Sequence, residues 1–159
     1  MRYKVIVAYN GSHYFGWQRQ KNEITLQSVI EEKLSTIFNR DINIYASGRT
    51  DRGVHARGQV FHFDAAPFPR TKLKYALNKM LPADIMIVAL TKTTDTFHAR
   101  YDAKLKEYEY VIYLGAKDVF LNNEVLFYPF PLDLVKLEIN ATQFIGKYNF
   151  QNFTSKPED

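Results

Sequence analysis

The sequence predicts an α+β domain built on one antiparallel sheet, with helices packed on one face of the sheet. Three observations predict this class: an alternating first segment, two segments with helical spacing of apolar residues, and the order of the elements. Over residues 2–90 the order is strand–helix–strand–strand–helix–strand, which is the βαββαβ order of ferredoxin-like domains. We expect this core to be extended by an extra strand and a terminal helix.

The first four elements lie within residues 2–63. Arg2–Tyr9 alternates as a half-buried strand does. Ile42–Ala46 and Gln59–Phe63 are predicted as two short strands. Between the first and second strands lies an amphipathic helix with Thr25 as its N-cap and Glu31 outside the apolar stripe. That stripe is formed by Leu26, Val29, Ile30, Leu34, Ile37 and Phe38.

The remaining elements follow the same rules. A helix is predicted over Thr71–Met80, and the continuous apolar run Ile85–Leu90 is typical of a buried central strand. Lys106–Leu114 alternates and is predicted as the extra strand. A less regular apolar stripe predicts the terminal helix near Leu132–Ile145, after a loop over Gly115–Asn123.

Composition excludes several classes of protein. The 159 residues suffice for a buried core, and 46% hydrophobic and 24% charged residues are ordinary for a globular domain. Cysteine is absent, which excludes disulfides and thiolate metal sites. No apolar run has the length of a membrane span, and we expect a cytoplasmic protein. Of the net charge of +4, residues 1–113 carry 17 basic against 11 acidic side chains, an excess that suits a polyanionic partner.

The loop Ser47–His55 carries the most informative chemistry. Asp51 lies between Arg49 and Arg52, with Arg57 shortly after, and Gly48 and Gly53 flank the group. Nearby cations favour an ionised carboxylate, and arginine side chains bind phosphate and stack on bases. The loop therefore suggests an aspartate that acts on a nucleic acid. The alternative is a turn held together by an Asp–Arg ion pair.

Several spaced segments identify a family resemblance. Tyr9–Gln20 reads Y-N-G-S-H-Y-F-G-W-Q-R-Q, and Gly48–His55 reads G-R-T-D-R-G-V-H. These segments resemble the opening motif Y-D-G-x-x-Y-x-G-W-Q-x-Q and the catalytic motif G-R-T-D-x-G-V-H of the tRNA pseudouridine synthase A family. Further matching segments follow in the family's order: Gln59–Val60, Leu81–Ile85, Phe97–Tyr101 and Tyr108–Tyr110.

The resemblance implies a tRNA-uridine isomerase that needs neither a cofactor nor a metal ion. Asp51 would be the nucleophile, Tyr108 the tyrosine that stacks on the uracil, and Arg49 the arginine that fills the space of the extruded nucleotide. The targets implied are uridines 38 to 40 in the anticodon stem–loop, and the implied assembly is a homodimer. Candidate RNA contacts are Arg19, Lys21, Arg52, His55, Arg57 and Arg100.

The resemblance also implies how the chain is divided. Residues 1–113 would form the catalytic ferredoxin-like, RNA-modifying domain. Residues 114–159 would be the truncated start of the family's second half, since Gly146–Phe153 resembles the segment G-x-H-D-F-x-x-F that leads into it. An expressed fragment, a shortened homologue, and a site completed by another chain are the three alternatives.

Two other functions compete with the isomerase. A half-synthase that binds RNA without modifying it is the first, and the element order is also that of the RNA-recognition motif. Its stacking aromatics, however, would fall on Gln59 and Asp64. The second is an Asp51-dependent hydrolase or phosphotransferase, which would need Mg²⁺ and further carboxylates nearby.

Overall fold

The computed structural model describes residues 1–153, so the last six residues of the predicted second segment lie outside it. The chain divides into two compact units, Met1–Tyr108 and a second that begins at Glu109. The boundary after residue 113 stays a prediction. The first unit contains β1 (Arg2–Tyr9), α1 (Leu26–Phe38), β2 (Tyr45–Ala46), β3 (Ala56–Asp64), α2 (Arg70–Met80) and β4 (Ile85–Thr93).

The four strands of the first unit form one antiparallel sheet in the order β2-β3-β1-β4. Val5 lies opposite Phe61 on β3 and opposite Leu90 on β4. Both pairings of β1 shift register near Val7, which increases the local twist of the strand. The predicted α+β class and the βαββαβ order are confirmed.

The core lies between this sheet and the two helices. Alternate residues of β1 and β3 point into it, as the pleat of a strand requires. Thr25 caps α1, because its hydroxyl accepts a hydrogen bond from the Ser28 amide while the Ser28 hydroxyl accepts one from the Thr25 amide. Fully buried members of the core include Tyr3, Val5, Val7, Phe61, Phe63, Leu26, Ile30, Leu34, Leu73 and Leu77.

The prediction that Glu31 lies outside the buried face of α1 was wrong. Its side chain is buried, and one carboxylate oxygen accepts hydrogen bonds from the Ile44 amide and the Gln27 side chain. The other oxygen lies 3.5 Å from the Arg19 guanidinium. Glu31 thus satisfies the amide of an irregular segment, which is why the predicted strand over Ile42–Ala46 shortens to β2.

The position of β4 was also predicted wrongly, because it lies at an edge of the sheet rather than at its centre. Ile85 and Ile87 point into the core, whereas Met86 and Val88 on the other face are exposed. An apolar run therefore indicated a strand correctly but did not determine how many neighbours it has.

The second unit contains a small parallel pair and a helix. Its elements are β5 (Ile112–Tyr113), β6 (Leu126–Phe127) and α3 (Leu134–Ala141), with a 3₁₀ turn at Val119–Leu121. The extra strand predicted over Lys106–Leu114 is reduced to β5, and it pairs with β6 instead of extending the main sheet. Among residues 1–153 no helix is long and apolar enough to span a membrane.

A second layer covers part of the sheet face that points away from the helices. His62 of β3 is only 2% exposed there, and its Nδ1 accepts a hydrogen bond of 3.2 Å from the Ala99 amide. The His98 ring packs edge-on against it, 4.7 Å away. Arg2 donates to the carbonyls of Asp95 and Phe97, so this turn is fixed to the sheet at two points.

The long connection between β2 and β3 packs against the connection between β1 and α1. The Trp17 amide donates to the Thr50 carbonyl over 2.9 Å, and the Tyr9 hydroxyl lies 2.9 Å from the Thr50 hydroxyl. Gly16 has φ +84°, and a Cβ there would lie 2.7 Å from the Thr50 carbonyl oxygen. Only glycine combines this backbone conformation with so close an approach.

Two glycine substitutions separate backbone strain from the close contact. Gly53 has a similar φ of +80°, but a Cβ there would meet nothing within 4 Å. We expect Gly53→Ala to lower the free energy of unfolding by about 1–2 kcal/mol, the cost of a left-handed alanine. We expect Gly16→Ala to lower it by roughly 2–5 kcal/mol, because an overpacking cost of about 1–3 kcal/mol adds to that strain. Urea denaturation of both variants checks this, and equal losses would contradict it.

His62 gives the domain a predictable response to acid. Burial first, then the charges of Arg2 and His98, lower its pKa to about 4, against about 6.5 in an unfolded chain. Between these values the unfolded state binds more protons, so stability falls as pH drops from 6.5 to 4. We expect a loss on the order of 3 kcal/mol over this range.

The comparison that isolates this effect is His62→Gln. Asp64, whose pKa Arg2 lowers through a hydrogen bond, adds its own acid dependence in both proteins. The difference between the two pH profiles of unfolding free energy therefore reports His62 together with its charge interaction with Asp64. Parallel profiles from pH 4 to 7 would show that His62 does not titrate as its burial implies.

Candidate functional site

The start of the loop Ser47–His55 is fixed to β3. The Ser47 amide donates to the Val60 carbonyl over 2.8 Å, and its hydroxyl donates to the Gln59 side-chain oxygen over 2.8 Å. The Gln59 amide nitrogen in turn donates to the Gly48 carbonyl over 2.7 Å. One side chain of the adjoining strand therefore binds two consecutive residues at the entry of the loop.

The middle of the loop is fixed by its contacts at Thr50. Besides the hydrogen bonds that Thr50 makes with Tyr9 and Trp17, Gly16 runs so close to the loop that a Cβ there would lie 3.2 Å from the Asp51 carbonyl carbon and 3.3 Å from the Arg52 nitrogen. Burial raises the pKa of Tyr9 above its usual value, so its phenol stays protonated and able to donate. The peptide of Asp51 is thus positioned by backbone packing and not by its own side chain.

The end of the loop is a tight turn that also packs on the first connection. The Val54 amide donates to the Asp51 carbonyl over 3.2 Å. His55 accepts a 3.0 Å hydrogen bond at Nδ1 from the Gly11 amide. A Cβ on Gly11 would lie 2.1 Å from the Val54 carbonyl oxygen. This places His55, a candidate RNA contact, in a structural position within the loop, half-buried and hydrogen-bonded.

A third segment joins the same assembly. The Asp84 carboxylate accepts a 2.6 Å hydrogen bond from the Tyr14 hydroxyl, and its carbonyl accepts one from the Asn10 amide. Burial and Asp84 together raise the pKa of Tyr14 strongly, which keeps the phenol a donor. Three of the spaced segments seen in the sequence therefore form one assembly: Leu81–Ile85 binds Tyr9–Gln20, and Tyr9–Gln20 binds the loop that carries Asp51.

Asp51 itself is exposed, and its carboxylate has no hydrogen bond or ion pair to any residue from 1 to 153. Arg49 and Arg52 are exposed beside it, and neither forms an ion pair with it in the described part of the chain. The alternative of a turn held by an Asp–Arg pair is therefore wrong for this structure. A positioned carboxylate with free oxygens is able to act as a nucleophile or to stabilise positive charge.

The basic candidates occupy different settings. The Arg52 guanidinium lies over the Phe15 ring, 4.2 Å from its centroid. Arg19 donates to Asn43 and pairs with the buried Glu31, which gives it a structural role on the α1 side. Lys21 and Arg100 are exposed, in the connection before α1 and in the turn after β4, and Arg57 is exposed on β3.

Tyr108 is not brought into the assembly described above. Its side chain is 71% exposed, and within residues 1–153 it makes no hydrogen bond and no ring contact. Residues 103–111 have no regular secondary structure. The sequence placed Tyr108 on a strand face, but the strand that would orient it is not formed here.

Sequence reasoning missed two features of the site. The Lys106 ammonium lies next to Gly48, 3.2 Å from where a Cβ would be, and so adds a cation at the entry of the loop. Phe15 was seen only as a variable letter of its motif, although it supports Arg52. Neither contact has a local signal, because each joins residues far apart in the sequence. Among the described residues, no three His, Asp or Glu side chains are grouped to hold a metal ion.

Comparison with known proteins matches this assembly to a family. The family model described as tRNA pseudouridine synthase matches residues 5–102, the range that contains all the connections described above. Within that range lie β1 to β4 for all but a few terminal residues.

Individual relatives agree with the family model. The tRNA pseudouridine synthase A of Caldicellulosiruptor saccharolyticus is 44% identical over 94% of this chain and 62% of its own length. The tRNA pseudouridine synthase A 1 of Bacillus cereus is 43% identical over 99% of this chain and 65% of its own. The Staphylococcus aureus protein is 42% identical, over 98% and 60%. The chain spans about three fifths of the length of the curated relatives it matches, and it belongs to the tRNA pseudouridine synthase family.

Proposed function

We propose that the protein converts uridine to pseudouridine in tRNA, at positions 38 to 40 of the anticodon stem–loop, with Asp51 as nucleophile. The observation that carries the proposal is the state of Asp51. Its backbone is positioned by Thr50, Gly16 and Trp17, while its carboxylate is exposed and unpaired among residues 1–153. Membership of the family supports the reaction type.

The proposed reaction requires little from the protein beyond the correct position of a few groups. The Asp51 carboxylate attacks either the ribose C1′ or the uracil C6, and the bond between N1 and C1′ breaks. The uracil turns, C5 bonds to C1′, the bond to Asp51 breaks and restores the carboxylate, the C5 proton leaves and N1 gains a proton. The atoms balance without redox change, so the requirements are a reactive carboxylate, an oriented base and a proton acceptor.

Tyr108 and Arg49 complete the proposed catalytic group. We assign to Tyr108 the stacking on the uracil and a part in removing the C5 proton, which requires residues 103–111 to order against the loop when RNA binds. We assign to Arg49 the space that the extruded nucleotide leaves, because a guanidinium plane replaces lost base stacking. Its exposure and lack of an ion pair within residues 1–153 support this role.

Further proposals concern the surroundings of the site. Exposed cations near the loop, among them Arg57 and Lys106, supply attraction for the RNA backbone. Residues 1–113 act as the catalytic domain, and residues 114–159 as the start of the family's second half. We place the protein in the cytoplasm, where its tRNA substrate is, and propose a homodimer.

A second candidate function is RNA binding without catalysis. Tyr108, exposed and without a partner among residues 1–153, favours it. The loop and its cations would then bind the anticodon arm while the uracil pocket stays incomplete. Product formation separates the two candidates.

Asp51→Asn tests the proposed nucleophile. Because the carboxylate has no partner to lose among residues 1–153, we expect the free energy of unfolding to change by no more than about 0.5 kcal/mol. We expect tRNA affinity to stay within about twofold, and tritium release from C5-labelled uridine in tRNA to cease.

Each outcome of this test has a definite meaning. Release by the parent chain and by the variant alike would remove Asp51 from the mechanism. No release from a folded parent that binds tRNA would favour the non-catalytic candidate. Added Mg²⁺ should leave the rate unchanged, since a requirement for it would indicate the hydrolase or phosphotransferase class.

Arg49→Ala tests the stacking role. A residue that replaces the extruded nucleotide acts after the RNA is bound, so we expect kcat to fall at least about tenfold while the dissociation constant for tRNA rises less than about threefold. Arg49→Gln, which keeps much of the planar side chain, should recover part of kcat. A loss confined to affinity in both variants would identify Arg49 as a phosphate contact instead.

A further inference from the structure

The residue after the proposed nucleophile is held by an aromatic ring. The Arg52 guanidinium lies 4.2 Å from the centroid of Phe15. The neighbouring Gly16 runs so close to the loop that a Cβ there would lie 3.3 Å from the Arg52 backbone nitrogen. The segment that carries Phe15 therefore lies beside the Arg52 backbone as well as beneath its guanidinium. A long side chain held in this way has little rotamer freedom left to lose on binding.

The same guanidinium keeps its hydrogen-bonding capacity. Arg52 is exposed, and within residues 1–153 it forms no ion pair and no side-chain hydrogen bond. Contact through one face of the guanidinium leaves its five N–H groups, which lie in the plane, free to donate. A fixed planar donor group without an acceptor matches the two oxygens of a phosphate.

We propose that Arg52, supported by Phe15, is a binding site for the RNA phosphate next to the nucleotide that reacts with Asp51. This site, the Arg52–Phe15 pair, rests on the proposed function. It differs from a surface lysine that only adds charge, because the ring fixes the direction of the donors. No carboxylate among residues 1–153 pairs with Arg52, so its donors are open to a phosphate.

The first test measures binding of the 159-residue chain to an anticodon stem–loop RNA as a function of salt. Loss of one phosphate contact lowers the slope of log K against log salt by roughly 0.7 to 0.9. We expect Arg52→Gln to lower the slope by that amount and to weaken binding about tenfold at low salt. Phe15→Leu keeps the charge and the apolar volume, so the slope should stay while affinity falls about two- to fivefold.

Tyr75→Leu provides a matched control. Lys79 lies over the Tyr75 ring, 5.7 Å from its centroid, on the exposed side of α2. The substitution removes an aromatic support from a cation as Phe15→Leu does, but outside the loop. We expect no change in affinity or slope, and an effect equal to that of Phe15→Leu would overturn the proposal.

The second test identifies the phosphate. RNAs with one neutral methylphosphonate linkage, placed on either side of the target uridine, are compared with the unmodified RNA. We expect the parent chain to bind one of the two modified RNAs more weakly than unmodified RNA, by the same factor by which Arg52→Gln weakens binding. We expect the Arg52→Gln variant to bind this modified RNA as tightly as it binds unmodified RNA. If the loss of affinity from the modified linkage adds in full to the loss from Arg52→Gln for both linkages, the proposal is overturned.

Base stacking on Arg52 is the competing explanation. An RNA with an abasic nucleotide beside the target uridine tests it. If the parent chain binds this RNA more weakly, the Arg52→Gln variant shows no such difference, and the methylphosphonate linkages have no effect, then Arg52 is a stacking site and not a phosphate site. Failure of the parent chain to bind the stem–loop would also overturn the proposal.

Failure of this inference is distinguishable from failure of the isomerase. If the parent forms product but Arg52→Gln does not change RNA binding, only the phosphate-site proposal is overturned. A normal Arg52 effect on binding, with no product from the parent, supports the site and removes the catalytic function instead.

Discussion

The arrangement depends on how the backbone around Thr50 is bound. Its carbonyl accepts a hydrogen bond from the Trp17 amide and its hydroxyl is hydrogen-bonded to the Tyr9 phenol, while a Cβ on Gly16 would crowd the next two peptide groups. The rings of Tyr9 and Trp17 are buried, and Trp17 packs against Phe61 on β3. The position of an exposed loop is therefore determined by the hydrophobic core. The two hydrogen bonds and the missing Cβ act directly beside Asp51, between the contacts that fix the start and the end of the loop.

Three consecutive residues of this loop have three different environments. Thr50 binds the core, Asp51 presents a carboxylate with no partner in the described part of the chain, and Arg52 lies on Phe15. This difference has an electrostatic reason. In the proposed reaction, an Asp51–Arg52 ion pair would satisfy the carboxylate and make its attack on the nucleotide harder, since the charge would first have to be freed. The aromatic ring keeps the cation close to the carboxylate without pairing the two.

The fold was predictable from sequence wherever a local pattern decides. Alternation in β1, the spacing of α1 and its Thr25 cap were all recognised, because each depends on neighbours within a few residues. Long-range partners were not. The burial of Glu31 depends on the distant Ile44 amide. Alternation over residues 106–114 predicts two faces of a strand but does not indicate which strand it pairs with. For the site, motif order predicts Asp51 and Arg49 as reactive residues, whereas the contacts of Phe15, Asp84 and Lys106 were visible only in the structure.

The proposed chemistry explains why rigidity belongs in the backbone of this loop and freedom in its side chain. In the reaction the carboxylate forms a bond to the nucleotide and later gives it up, while the base turns between the two steps. A carboxylate bound by its own side-chain partners would have to break and remake those bonds in each turnover, and each charged hydrogen bond is worth about 1.5–3 kcal/mol. Positioning Asp51 through Thr50, Gly16 and Trp17 avoids that loss, because none of these contacts involves the reacting oxygens.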